Sequence, residues 1–173
     1  MCAAADPVQH VVTVCPPPCR PVHTLAWNVV CPTSLSASYF TNRWLHGSAV
    51  LTRVDASINF VWPTFITDSS KDFVSVRWVG YVLPAFSETY TFFMQVNDGV
   101  KVWLDGVVII DQFDLVVDDT APSVVAAGGF VEVSGVSATP LAAGVPYDLK
   151  VEYRENEGIA VRARVCLLPL RAG

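Results

Sequence analysis

The sequence predicts an all-β domain, an antiparallel β-sandwich of jelly-roll type preceded by an extended Pro-rich N-terminal arm. Three observations predict it. From Leu35 onward, short runs rich in Val, Ile, Phe, Tyr and Trp alternate apolar with polar residues, the period of a strand with one buried face. Turn signals such as Asp105-Gly106 and Gly128-Gly129 punctuate these runs. No segment carries a helical period of three to four.

Residues 1–34 read as the arm. Pro7, Pro16, Pro17, Pro18, Pro21 and Pro32 break it up, and its apolar pieces, Val11-Val12 and Trp27 to Val30, are too short to make a core. Each piece could add an edge strand or lie on another surface. Trp27, Pro16, Pro17 and Pro18 are the candidate contacts for a protein partner, since an aromatic anchor is a usual centre of interface energy. The cysteines are five in number, Cys2, Cys15, Cys19, Cys31 and Cys166, an awkward count for a disulfide framework. Cys15-Pro-Pro-Pro-Cys19 lacks CxxC spacing, and its prolines stiffen the segment against convergence on one metal. Reduced thiols are expected.

The sandwich is expected over residues 35–168, with 169–173 as a tail. Leu35, Ala37 and Tyr39 alternate with Ser36, Ser38 and Phe40 as a first strand. Val50-Leu51 and Ile58 to Phe60 read as short pieces within a longer loop. Phe73 to Val82 is a strong strand. Tyr90 to Asp111 reads as an antiparallel meander with tight turns at Asn97-Asp98-Gly99 and Asp105-Gly106, because the central positions of a two-residue hairpin turn need positive φ. Within it Val100, Val102 and Leu104 form the inward row. The chain loosens after Asp111, and strands resume at Phe130 to Val136, Tyr147 to Tyr153 and Ile159 to Val165.

Composition removes several function classes. The 173 residues suffice for one domain with a real core. Hydrophobic residues make up 52% and charged ones only 16%, which fits a compact domain rather than a disordered tail. A net charge of −5 without any basic cluster argues against nucleic acid. No run of eighteen apolar residues is present to span a membrane. The first residues lack a basic n-region and a continuous apolar stretch, so the expected setting is intracellular, cytoskeletal, axonemal or organellar. It becomes extracellular if the chain is part of a longer protein.

Catalytic signals are missing too. His10, His23 and His46 show no HExxH spacing, and there is no GxSxG, P-loop or GxGxxG motif. Asp111, Asp114, Asp118 and Asp119 read as a solvated acidic stretch rather than an acid–base pair. The expectation is a protein that is not an enzyme.

The ordered motifs Leu35 to Phe40, Gly47 to Arg53, Asp55 to Phe60, Phe73 to Tyr81, Asn97-Asp98-Gly99, Trp103 to Gly106, Ile110-Asp111, Lys150 to Tyr153 and Glu155-Asn156 resemble the PA14 domain, a β-sandwich module. The likeness covers about residues 35–168. It implies the fold strongly and the function weakly, because such modules occur in adhesins, toxins, glycosidases and structural proteins. In the adhesin branch, two adjacent aspartates and a later asparagine hold calcium. The matching positions here are Asn97, Asp98 and Asn156, with Asn97 departing from the family's first aspartate. Carboxylate count sets much of calcium affinity, so the implied site is weak, with Glu155 or Glu157 as further candidates. The alternative for Asn97-Asp98-Gly99 is ordinary turn chemistry. The resemblance places Trp44, Trp62, Trp78 and Trp103 in or near strands, where filling the core is the expected role.

Two function classes follow. One is a structural, protein-interacting subunit of a larger intracellular assembly, docked partly through the arm. The other is a calcium-dependent carbohydrate-binding module, with glycans as ligands.

Overall fold

A computed structural model describes residues 13–15, 34–62, 64–118, 120–127, 129–157 and 161–169, with only the backbone considered for 13–15, 126 and 161–169. Eleven strands and one short helix are found among them. In chain order they are β1 (Thr13–Cys15), β2 (Leu35–Phe40), β3 (Leu51–Asp55), β4 (Asn59–Trp62), β5 (Val74–Leu83) and β6 (Tyr90–Val96). These are followed by β7 (Asp98–Leu104), β8 (Val107–Val116), α1 (Pro122–Ala126), β9 (Val131–Val136), β10 (Tyr147–Glu155) and β11 (Val161–Pro169).

Two antiparallel sheets face each other. The larger runs β3-β2-β5-β10-β7-β8, with β1 also paired to β5, and the smaller runs β4-β11-β6-β9. The core lies between them. Leu35, Ala37 and Tyr39 on β2, Val76 and Trp78 on β5, Val100 and Val102 on β7 and Val151 and Tyr153 on β10 are all 0% exposed. Tyr90, Phe92, Met94 and Val96 of β6 meet them from the smaller sheet. Period-two alternation dictates this, because a strand with one apolar row can bury it only against another sheet.

The expected β-sandwich is present, but the chain threads it differently from the meander expected of Tyr90–Asp111. β6 and β7 belong to different sheets, and Asn97 is a bend between them. Asn97 and Asp98 are 2% and 1% exposed, whereas a hairpin tip would be wet. Asn-Asp-Gly chemistry serves a corner as well as a turn. Gly99 is needed there because a Cβ would lie 2.0 Å from the carbonyl oxygen of Phe113. Asp105-Gly106 does form the expected hairpin turn, with φ of 48° and 77°, between β7 and β8.

Other differences have simple causes. Leu51 and Asn59-Phe60 open strands rather than loop, β3 and β4, with Val50 and Ile58 just before them; both strands are too short to show a clear period. β8 continues to Val116, beyond the expected loosening at Asp111, because a strand at the sheet edge carries a diluted apolar pattern. Pro122 starts a five-residue helix at a position where its missing N–H costs nothing. Of the four tryptophans expected in the core, Trp78 and Trp62 are buried, Trp103 is half-buried and Trp44 is 58% exposed. Among the described residues, no helix is long and apolar enough to cross a membrane. Trp27, Pro16, Pro17 and Pro18 lie outside the described residues.

Buried polarity is handled by a compact network. Asp55 accepts hydrogen bonds from Tyr39 Oη at 2.7 Å, Trp78 Nε1 at 2.8 Å and Arg53 Nε at 2.7 Å. Burial beside this carboxylate holds the Tyr39 phenol protonated far above its ordinary range.

Candidate functional site

The corner at Asn97 brings β7 against the end of β10. Asp98 is the first residue of β7, and Asn156 follows the last residue of β10. Asn156 donates its backbone N–H to Asp98 Oδ2 at 2.8 Å and its side-chain Nδ2 to Oδ1 at 3.2 Å. The backbone N–H of Val117 donates to the same Oδ1 at 3.3 Å. Burial raises the Asp98 carboxyl above its ordinary range, while these N–H groups and the Arg154 charge pull it down. Asn97, the third residue of the expected set, turns its amide away and donates Nδ2 to the carbonyl of Gly129 at 2.5 Å.

The structure therefore gathers Asp98 and Asn156 and leaves Asn97 on a separate partner. Arg43 Nη1 donates to Asn156 Oδ1 at 2.8 Å. A guanidinium can only donate, so the amide must present its oxygen to Arg43 and its NH2 to Asp98. A calcium ion takes six to eight oxygens. Here both carboxylate oxygens accept N–H bonds, the amide oxygen faces a cation, and Arg154 adds a second positive charge nearby. The residues present do not fit that ion. Among the described residues, no group of three His, Cys, Asp or Glu side chains could hold a metal.

Glu155 and Glu157, the two further candidates, differ sharply. Glu157 is exposed and Glu155 is fully buried. Tyr153 donates its hydroxyl to Glu155 Oε2, while Oε1 has no hydrogen-bond partner. Burial pushes the Glu155 carboxyl up to about 8, with Asp98 and Asp72 adding to the rise and the Tyr153 hydrogen bond and Lys71 opposing it. Unpartnered buried side-chain atoms, among the described residues, are Asp72 Oδ1, Arg154 Nε and Glu155 Oε1. All three belong to this end of the sandwich.

Above the corner lies a surface that the sequence did not announce. Trp44 is 58% exposed and Phe73 48%. The Arg43 guanidinium sits 5.4 Å from the Trp44 ring centroid and 5.3 Å from that of Phe73. Arg154, buried and paired with Asp114 at 3.1 Å, sits 5.1 Å from Trp44 and 5.3 Å from Phe113. Each ring is thus backed by a cation, a contact worth about 0.5–1 kcal/mol at an exposed position.

The loop carrying Trp44 is built in advance. Asn42 Oδ1 accepts the N–H groups of Trp44 and His46 at 3.0 and 3.1 Å, and Asn42 Nδ2 donates to the His46 carbonyl. Ser75 Oγ of β5 ties the loop down, donating to the Asn42 carbonyl at 2.6 Å and accepting Leu45 N–H at 3.1 Å. Leu45 and Phe73 both hold positive φ, 55° and 56°. Such backbone costs about 1–3 kcal/mol per residue and persists where the surroundings enforce it. The Phe73 N–H is fixed on the Asn156 carbonyl at 2.7 Å. Platform and corner are one bonded unit.

The comparisons agree with this architecture. The PA14 domain profile matches residues 32–164. The anti-sigma-I factor RsgI3 of Acetivibrio thermocellus is 39% identical over 112 residues, 60% of this chain and 14% of that protein. The solved structure of an anti-sigma factor domain-containing protein from Clostridium clariflavum is 32% identical with a TM-score of 0.64, covering 79% of this chain and 42% of that one. A PA14 sugar-binding domain from an RTX adhesin shares the fold with a TM-score of 0.56 at 15% identity, covering 79% of this chain and 89% of that one. The chain thus spans less than half the length of the two anti-sigma relatives.

Proposed function

The chain belongs to the PA14 domain family, and from that premise we propose that it is a non-catalytic recognition module that binds carbohydrate without calcium. One observation carries the reading. Two aromatic rings, Trp44 and Phe73, stand exposed on a guanidinium that is itself hydrogen-bonded into the Asp98–Asn156 corner. Large exposed aromatic rings cost solvation unless a ligand covers them, and a sugar ring offers an apolar C–H face to such rings and hydroxyls to the guanidiniums and amides beside them. Rigid rings on a bonded loop lose little entropy on binding. The sugar-binding adhesin domain shows the same fold at low identity, which is compatible with this reading but does not carry it.

Affinity electrophoresis of the purified domain through gels containing glucan, xylan, mannan or galactan tests the proposal. Retardation by at least one polymer, lost in Trp44→Ala, is expected. Free migration through every gel would overturn it.

A protein partner is the second reading, with the domain as a subunit of a larger assembly. Among the described residues β8 is an edge strand of the larger sheet, and its Val107, Val108 and Val116 are 52%, 42% and 66% exposed, which favours it. An unpaired strand edge is a template for pairing with another chain. Loss of a native complex on Val108→Lys, with saccharide binding unchanged, would support it.

A further inference from the structure

Residues 64–65 and 69–73 enclose an open cleft of about 540 Å³ beside the platform. Its volume lies within the usual range of small-ligand sites. Phe65, 61% exposed, and Phe73, 48% exposed, are its aromatic walls. Ser69, Lys71 and Asp72 supply polar groups, and Asp72 Oδ1, which accepts no hydrogen bond, is ion-paired with Lys71 Nζ at 3.7 Å. Aromatic walls with hydroxyl, carboxylate and ammonium groups between them suit a ring that is apolar on its faces and hydroxylated at its edge.

The cleft is also preformed. Ile66 and Thr67 both donate their N–H groups to the Ser70 carbonyl at 3.0 Å, and Ser70 N–H donates to Thr67 Oγ1 at 3.1 Å. Ile66 and Thr67 are buried, which anchors the loop on the sandwich. Phe73 belongs to both surfaces, lining the cleft and stacking on Arg43 of the platform. Its left-handed backbone is unfavourable for a bulky side chain, and the Asn156 carbonyl holds it there.

We propose that this cleft is a second saccharide-contacting site, continuous with the platform through Phe73, so that the domain grips several units of an oligosaccharide chain rather than one terminal sugar. The inference rests on the carbohydrate reading above. Continuity makes the two sites additive along one chain, which predicts affinity that climbs with chain length.

The test is calorimetric titration of wild type, Phe65→Ala, Ser69→Ala and Trp44→Ala with β-1,4-linked glucose, xylose, mannose and galactose oligosaccharides of one, three and six units. Wild type should bind the six-unit chain of its preferred sugar more tightly than the single unit. Phe65→Ala should weaken the six-unit chain about tenfold, equivalent to about 1.4 kcal/mol, and leave the single unit unchanged. Ser69→Ala should act in the same direction. Trp44→Ala should weaken every length. Phe65 and Ser69 are exposed, so the thermal transition should not move in their variants. Phe65→Ala and Ser69→Ala without effect, beside a damaging Trp44→Ala, would overturn the cleft and leave the platform standing. Absence of binding by wild type at every length would overturn both.

Discussion

The backbone N–H of Asn156 donates to Asp98 Oδ2 at 2.8 Å, joining the end of β10 to the start of β7 across 58 residues of sequence. Asp98 sits where the chain leaves the smaller sheet for the larger, so this bond locks the corner to the strand that ends beneath Phe73. The carboxylate serves as a polar clamp: it collects three N–H groups that burial would otherwise leave unpaired.

Asp98→Ala should therefore be a stability mutant. Removing the acceptor strands buried donors, and the expected loss is about 3 kcal/mol. For a domain of this size that lowers Tm by roughly 6–12 °C. Thermal melts check it, run with excess calcium and with chelator, and the two wild-type curves should coincide. A wild-type shift with calcium that Asp98→Ala abolishes would restore the metal site implied by the resemblance.

Stability should also fall as pH rises. Glu155 holds its proton up to about 8 in the folded protein, above the ordinary carboxyl value of 4.5 that applies to the unfolded chain. Between those values the folded state binds the extra proton, so stability is fully present below the lower value and lost on the way to the upper one. The slope for one proton is about 1.4 kcal/mol per pH unit. Asp98, also raised, acts in the same sense. Urea unfolding of Glu155→Gln across pH 5–9 should show a much flatter profile than wild type. Identical slopes would contradict the assignment.

Gly135 of β9 lies tight against the backbone of β8. A Cβ there would lie 1.9 Å from the Ile109 carbonyl oxygen, a backbone atom that cannot step aside. Gly135→Ala should cost more than about 3 kcal/mol. Gly106→Ala, at φ 77° with open space around it, should cost only about 1 kcal/mol, the conformational penalty alone. Equal losses in the two, measured by denaturant unfolding, would contradict the close approach.

Much of the sandwich was legible in the residues. Val100, Val102 and Leu104 alternate as a buried row should, and Asp105-Gly106 has the backbone its chemistry demands. Asn97-Asp98-Gly99 misled because the same residue types stabilise an exposed hairpin tip and a buried corner, and only tertiary burial separates them. Asp98 and Asn156, which the resemblance names together, are hydrogen-bonded to each other. What the pair does depends on Arg43, 113 residues away from Asn156 along the chain, and no local pattern announces that contact. Trp44 was expected in the core and is exposed, for a related reason. Its exposure follows from the Asn42 and Ser75 bonds that turn its loop outward, whereas its apolar character alone suggested the core.

Titration of a retained polysaccharide into wild type and Trp44→Ala, each in excess chelator and in excess calcium, tests calcium-free recognition by the aromatic platform. Wild type should bind with equal affinity in both buffers, and Trp44→Ala at least tenfold more weakly in both, about 1.4 kcal/mol or more. Binding that requires calcium and survives Trp44→Ala would contradict it.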